Sequence, residues 1–375
     1  MRFLMLNWRD PANPLSGGAE RVTLAYLSEL AKRGHDVWWF ANEYAGSKPG
    51  ETFDGVKIVR GGGRGTSIFA ARRWYRSQPK FDLVMDQHHG IPWFAPWWCG
   101  TRVISYVHEV LGPIWTSFYP WPLSTLGRWQ ESVTHWLYRK TPFWTACEST
   151  ADGLRQHGVR EITILRYGVH TQALEELPPK PLVPPLRLIT VSRLAPNKRI
   201  HHAVQTVAAL KARGVSAHLT IVGGGETRPL IEATITECGV GDSVRLSGPI
   251  TEAEKDALLS ESHFLLHPSQ REGWGLNVIE ANAMGTPAAV YPVAGLIEST
   301  LDNRTGIVAR AETPESLAER IMEALARPDE YQLWRRQAWE RAKTMQWDHI
   351  LPLAADWLES VAQGKPHQEG PIPAI

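Results

Sequence analysis

The chain has 375 residues, 43% of them hydrophobic and 21% charged, with 40 Lys plus Arg against 39 Asp plus Glu for a formal net charge of +1. That length exceeds what one hydrophobic core usually spans, so two globular domains are expected, and the near-neutral balance argues against bulk nucleic-acid binding. Three cysteines, Cys99, Cys147 and Cys238, lie far apart without a CxxC spacing, which indicates neither a disulfide framework nor a zinc site and points to a reducing compartment. The opening MRFLMLNW has too short an apolar stretch for a signal peptide, and no window approaches the roughly 18 apolar residues of a spanning helix. A cytoplasmic protein is expected, free or peripheral on the inner face of the membrane. Residues 1–180 carry 21 basic and 16 acidic side chains and the remainder 19 and 23. A positive N-terminal half suits an anionic surface or partner; an uneven scatter of solvated charge would look the same.

In chain order, RFLMLNW, DVWWFA, VKIVRG, FDLVMDQ and TRVISYVHE read as strands. AERVTLAYLSELAKRG, with Val22, Ala25, Tyr26 and Leu30 at helical spacing, and TLGRWQESVTHWLYRK read as helices. ELPPKPLVPPL, residues 176–186, breaks the rhythm with Pro178, Pro179, Pro181, Pro184 and Pro185, which forbid helix and central strand alike. After it LRLITVSRL, AHLTIVGGG, SVRLSG, HFLLHPS and PAAVYPV read as strands with helices between them, IHHAVQTVAALKARG among these. The expected class is α/β: two Rossmann-like domains with mostly parallel sheets, joined by a Pro-rich hinge, with a cleft where the carboxyl ends of both sheets face one another. The expected boundaries are 1–177 for the first domain, 178–186 for the linker, 187–346 for the second domain, a helix over 347–362 and a flexible tail over 363–375.

In HPSQREGWGLNVIEANAMGTP the strand ends near Pro268, and Gly273 and Gly275 free the backbone to turn before a helix starting about Leu276. A helix N-terminus behind a glycine turn is an anion site, worth about a kcal/mol or more to a phosphate. Glu280, one turn into the helix, can accept two hydrogen bonds from vicinal hydroxyls such as those of a ribose. Glu272, on the loop before the turn, can do the same for a second ring beyond the phosphates. Taken alone, an E-x7-E spacing reads first as a pair of solvated or helix-capping acids.

REGWGLNVIEANAMGTP, residues 271–287, resembles the signature of the family-4 retaining glycosyltransferases, whose members have a GT-B fold of two Rossmann-like domains. The match extends through GWGL, the IEANA helix and the closing GTP. It implies donor contacts from Gly273, Trp274, Gly275, Leu276, Asn277 and Glu280, and a catalytic place for Glu272 on the donor sugar. LRLITVSRLAPNKRI resembles the family's strand, Arg, short loop and Lys, which places Arg193 and Lys198 at the donor diphosphate. No DxD-type metal site is evident, so these cations are expected to meet the leaving group, with neither a metal nor a cofactor beyond the donor substrate.

The resemblance reaches further stations. NPLSGGAERVTLAY is similar to the family's N-terminal glycine loop, where Gly17 and Gly18 let the backbone approach a phosphate or sugar and Ser16 is a candidate cap. TRVISYVHEVLG matches the place where the family sets a histidine against the donor sugar, which implies His108 at the reaction centre. IVGGGETRPLIE is similar to segments near the nucleotide, implying Gly224 and Gly225, and in SGPITEAEKDALL the backbone of Pro249, Ile250 and Thr251 would border the base. RYGVH departs from the family's Asn-Gly-Val-Asp stretch, with Tyr167 for the asparagine and His170 for the aspartate; neither acquires a role from sequence. His88 and His89 are adjacent, so on a strand they face opposite sides and make no joint metal site. The family also implies an acceptor-binding first domain, a donor-binding second domain and a final helix, in QWDHILPLAADWLESV, that crosses back onto the first.

Eight of the 17 tryptophans (Trp93, Trp97, Trp98, Trp115, Trp121, Trp129, Trp136, Trp144) fall between residues 93 and 144. Indoles stack on sugars and favour membrane interfaces, so the cluster suits a glycan or a lipid-linked acceptor, with core packing as the plain alternative. GRGTSIFAARRWYRSQPK sets Arg64, Arg72, Arg73, Arg76 and Lys80 beside Ile68, Phe69, Trp74 and Tyr75 with no acid, so residues 64–80 are a candidate peripheral membrane contact or a helix covering one face of the sheet.

The sequence therefore reads as a retaining glycosyltransferase of the hexosyltransferase type. It would move a sugar from a nucleotide diphosphate to a hydroxyl of a glycan or lipid-linked glycan, in cell-surface polysaccharide or glycoconjugate synthesis. A sugar-nucleotide epimerase of the same fold and a non-catalytic partner subunit are the rival readings.

Overall fold

The computed structural model describes residues 1–63, 65–88, 90–365 and 370–371. Arg64, His89 and residues 366–369 and 372–375 of the expected tail lie outside the described residues. The chain divides into two compact units, Met1–Gly168 with Trp347–Ile375, and Val169–Gln346.

The first unit is built on β1 (Arg2–Leu6), β2 (Asp36–Ala41), β3 (Gly50–Phe53), β4 (Val56–Arg60), β5 (Leu83–Gln87), β6 (Arg102–Tyr106), β7 (Phe143–Thr145) and β8 (Ile162–Ile164). With a two-residue β15 (Gly370–Pro371) at one edge, the order is β15-β8-β7-β6-β5-β1-β2-β4-β3, parallel throughout except for β3 against β4. β1 and β5 are buried along nearly their whole length, as central parallel strands covered on both faces must be. β3, GETF, is a polar edge strand with alternating exposure, and its composition carries no strand signal. Connections run from β1 toward β2 on one side and from β5 toward β8 on the other, so winding reverses between β1 and β5.

The last helix, Trp347–Ala362, belongs to this unit. Arg33 of helix Gly18–Lys32's C-terminal end meets its Asp356 at 2.6 Å and Glu359 at 3.1 Å, and His35 meets Glu359 at 3.0 Å. Tyr26 stands edge-on to both Trp144, at 4.9 Å between centroids, and Trp347, at 5.3 Å.

The second unit is a six-stranded parallel sheet of β9 (Leu186–Val191), β10 (Ala217–Val222), β11 (Val244–Gly248), β12 (Phe264–His267), β13 (Ala288–Val290) and β14 (Gly306–Val308), ordered β11-β10-β9-β12-β13-β14. The units divide at Gly168, ahead of the boundary expected at 177, and the proline segment packs within the second unit instead of standing free. Lys180 is buried there, with Nζ donating to Ser262 O at 2.7 Å and Thr286 Oγ1 at 2.8 Å, and Arg335 donates to Pro178 O at 2.9 Å. Prolines cannot pair in a sheet, but their carbonyls and the intervening lysine can still be satisfied by side chains. Burial pushes Lys180 down to about 6.

Candidate functional site

The winding of the second sheet decides where a ligand can sit. From β9 the chain goes outward to β10 and β11, then returns past β9 to β12 and continues to β13 and β14, so the connection order reverses between β9 and β12. In an open parallel sheet the loops leaving the carboxyl ends of two such strands splay apart and leave a crevice. Arg193 and Lys198 follow β9; Glu272 and the glycine turn follow β12. Gly223–Gly225 follow β10 and Pro249–Thr251 follow β11, so the loop residues of the second unit expected at the donor lie on this carboxyl rim, with Glu280 one turn into the helix that starts there.

Backbone bonds tie the rim together. Leu194 N donates to Gly224 O at 2.9 Å, Gly223 N to Gly248 O at 2.9 Å, Gln270 N to Asn197 O at 2.9 Å and Glu272 N to Ala294 O at 3.2 Å. Two glycines make these approaches possible. A Cβ on Gly225, at φ +155°, would fall 2.4 Å from Leu194 O, and one on Gly295, at φ +80°, would fall 2.2 Å from Glu272 O. Gly224 is exposed and its Cα lies against Pro249, where a Cβ would be 3.5 Å from the ring.

At the crevice Lys198, on the short turn Pro196–Lys198, donates to Glu272 Oε1, and Ser269 Oγ donates to the same oxygen at 2.7 Å. His267 Nε2 lies 3.6 Å from it. Burial alone would raise the carboxyl pKa of Glu272, but Lys198 and then His267 outweigh it and hold the group below its ordinary value. Burial, with repulsion from Lys198, outweighs the attraction of Glu272 and pushes His267 down to about 4, so its imidazole is neutral at pH 7. Arg193 is exposed and, among the described residues, makes no side-chain hydrogen bond or ion pair, which leaves a full positive charge at the crevice.

The helix Leu276–Ala283 begins at Gly275, held at φ +86° in the left-handed region that an L side chain resists. Asn277 Nδ2 donates to Val191 O at 2.9 Å and pins this helix start to the end of β9. Three expectations change in detail. Trp274 is buried at 1% exposure with the Arg341 guanidinium 5.8 Å from its ring, so its indole packs the interior and only its backbone borders the loop. Glu280 is already engaged: its Oε2 lies 3.2 Å from Lys255 Nζ, whose pKa is raised because Glu280 and Glu252 outweigh burial. Thr251 caps the helix Glu252–Glu261, accepting from Glu254 N at 3.3 Å, and so is held in place by its own hydrogen bonds.

In the first unit Gly17 and Gly18 stand after β1, beside that sheet's own reversal. Gly17, not Ser16, is the N-cap; its N–H donates to Glu20 Oε2 at 2.7 Å, while Ser16 Oγ donates to Pro11 O at 3.1 Å. A ligand anion there meets a helix end already occupied by a carboxylate. His108 lies two residues beyond β6. Thr23 Oγ1 donates to Gln87 Oε1 at 3.0 Å, which turns the Gln87 amide so that its Nε2 donates to His108 Nε2 at 2.7 Å. His108 Nδ1 then carries the proton and faces the hydroxyl of Tyr167. Sequence reasoning left Tyr167 without a role, and it missed Lys255, His267 and Ser269. His267 and Ser269 flank a proline at a strand end, and nothing in their spacing pointed to Glu272.

The description Glycosyltransferase Family 4 matches residues 16–173 and Glycosyl transferases group 1 matches residues 176–341, together spanning both units. The chain is a family-4 glycosyltransferase. It is 23% identical to the glycogen synthase of Mycobacterium tuberculosis over all of this chain and 98% of that one. Among solved structures it is similar to sucrose-phosphate synthase from Thermosynechococcus elongatus, with a TM-score of 0.79 and 18% identity over 97% of this chain and 100% of that one. It is also similar to HepE of Anabaena in complex with UDP and glucose, with a TM-score of 0.71 and 14% identity over 96% and 100%. The fold is GT-B, and the enzyme belongs to the hexosyltransferases, nucleotide-sugar dependent in type. No helix among the described residues is long and apolar enough to cross a membrane.

Proposed function

We propose that the enzyme transfers a hexose, with retention of anomeric configuration, from a nucleoside diphosphate to a hydroxyl of a glycan or lipid-linked glycan. The observation that carries this reading is the Lys198–Glu272 pair at the strand-order reversal of the second sheet, with the exposed Arg193 on the same loop after β9 as Lys198. A leaving diphosphate needs cations and backbone N–H groups where its charge develops, and Arg193, Lys198 and the start of helix Leu276–Ala283 supply them. Glu272 then takes sugar hydroxyls; for His108, of the first unit, a place at the donor sugar rests on the sequence resemblance alone. Glu280 takes the ribose with the oxygen that Lys255 leaves open, Gly224 lies against the nucleotide, and the backbone of Pro249–Thr251 borders the base. No protein nucleophile is required when the acceptor attacks on the face the leaving group departs from, so the chain's contribution is positioning and charge stabilisation. HepE's complex with UDP and glucose supports a nucleoside diphosphate donor by analogy of fold.

The test has two steps. Nucleotide sugars are screened by thermal shift, where a ligand at about 100 times its dissociation constant stabilises by roughly 2.7 kcal/mol. The stabilising donor is then supplied with glycan acceptors and the product's anomeric configuration is read by NMR. An inverted linkage overturns the retaining reading, and an epimerised donor formed without acceptor favours the epimerase.

A further inference from the structure

Of the eight tryptophans between residues 93 and 144, Trp93 and Trp144 are fully buried, but Trp97, Trp121, Trp129 and Trp136 are 55%, 82%, 64% and 54% exposed. Leu123, Leu126 and Leu137 are exposed beside them. Helix Leu123–Tyr138 therefore carries two stripes. Ser124, Glu131, Thr134, His135 and Tyr138 turn inward, whereas Leu126, Trp129, Trp136 and Leu137 recur at helical spacing on the solvent side. This is the inverse of what a helix covering a sheet should show, and an apolar face of this kind marks an interaction surface.

The basic helix Ser67–Arg76 lies on the same face of the first sheet. Its Tyr75 packs in a cluster with Leu4, Phe40 and Val84, while Tyr138 of the other helix donates to Asp86 Oδ2 at 2.7 Å. Val84 and Asp86 are two residues apart on β5 and point to one side. The short turn Ala95–Trp97 joins the two helices: Trp98 meets Tyr75 at 5.4 Å and Trp97 meets Tyr138 at 5.0 Å between centroids. Phe69 at 73% exposure and exposed Arg72, Arg73 and Arg76 thus continue the surface that carries Trp129 and Trp136.

Charge selects what that surface fits. Exposed Arg128 and Lys140 accompany the apolar stripe, and the one acid of the helix, Glu131, is buried, accepting from the N–H groups of Leu111 and Gly112 at 2.7 Å each. Where the stripe ends, the Arg139 guanidinium lies 4.1 Å from the Trp136 ring, and Arg139, Lys140, Gly158, Arg160 and Glu161 line a hollow of about 430 Å³. Three cations against one acid, set at the edge of exposed indoles, match an anionic headgroup above acyl chains.

We propose that this face of the first unit docks on an anionic phospholipid bilayer, with Trp121, Trp129 and Trp136 entering the interface and Arg72, Arg73, Arg76, Arg139, Lys140 and Arg160 meeting headgroup phosphates. The proposal extends the contact expected at residues 64–80 to a surface spanning two helices, and it stands apart from the donor-site reading because it uses none of those residues.

Co-sedimentation of the full chain with vesicles of phosphatidylcholine plus phosphatidylglycerol, against phosphatidylcholine alone, tests it. The protein is expected to sediment with the first and not the second. Each basic residue at an anionic surface is worth about a fivefold change in binding, so R72Q/R73Q/R76Q should weaken it roughly a hundredfold. W129Q/W136Q should bind only at low salt, because without aromatic insertion the attraction is screened. Unchanged thermal midpoints establish that the variants fold, and the two sets lie on separate helices, so one can be read if the other does not express. No binding to the anionic vesicles, equal binding to both kinds, or variants that bind like the parent overturns the proposal; an acidic protein partner for this face would give the first of these results.

Discussion

Lys198 and Ser269 donate to the same oxygen of Glu272, and His267 stands behind it, so one carboxylate collects the loops that follow β9 and β12. The pair is 16% and 14% exposed at its side chains, enough to admit a ligand and too little for water to screen the charges fully. Two substitutions separate its parts. Glu272→Ala and Lys198→Ala should each abolish transfer while the protein remains folded; near-full activity in either rejects the assigned roles. Lys198→Ala should also cost about 1–3 kcal/mol of stability at pH 7, because the carboxylate loses a charged hydrogen bond. The folded pKa of Glu272 is depressed, so its contribution is complete above the ordinary carboxyl pKa near 4.3 and is lost as pH falls through the folded value. The stability difference between parent and Lys198→Ala should therefore shrink below about pH 4. Urea unfolding at pH 7 and at acid pH measures it.

His267 is a second pH-dependent element. Its pKa falls from 6.5 to about 4 on folding, so the folded state binds fewer protons than the unfolded one between those values. The stabilisation is whole above about 6.5 and disappears as pH drops toward 4, a loss of about 3 kcal/mol. His202 and His263, both pushed down to about 4 by burial, act with the same sign. His267→Gln should flatten the fall of the urea midpoint between pH 7 and pH 5 relative to the parent; an unchanged slope contradicts the buried neutral imidazole.

Gly295 is required by geometry and not by flexibility. Its φ of +80° and the 2.2 Å approach a Cβ would make to Glu272 O leave no room for a side chain. Gly295→Ala should destabilise by about 1–3 kcal/mol and displace the Glu272 loop, lowering kcat more than the stability loss alone explains. Gly239→Ala, at φ +61° with nothing within 4 Å of the added carbon, separates backbone strain from loop displacement, since it should lose stability but keep kcat.

Tyr167 is expected to act through His108. Gln87 holds one ring nitrogen and Tyr167 the other, so the imidazole's tautomer and tilt are both fixed. Tyr167→Phe keeps the ring in its buried site and removes the hydroxyl. It should lower kcat roughly 10- to 100-fold by loosening the orientation of His108, with the thermal midpoint changed little. His108→Ala run beside it distinguishes two failures: an active His108→Ala removes the histidine from the mechanism, whereas an inactive His108→Ala with fully active Tyr167→Phe removes only the tyrosine.

Much was legible in the residues themselves. Alternation of short apolar runs with amphipathic stretches fixed the α/β class, and the glycines of REGWGLNVIEANAMGTP announced a turn and a helix start because few other residues adopt the backbone angles found at Gly275. Main-chain conformation is a local property, so sequence can report it. The partnerships were not local. Lys255 lies 25 positions from Glu280, Lys198 lies 74 from Glu272 and His108 lies 59 from Tyr167, and only strand order brings each pair together. The same holds for the tryptophans: composition announced their number, but whether an indole faces the core or water depends on which side of helix Leu123–Tyr138 the first sheet occupies, and packing alone decides that.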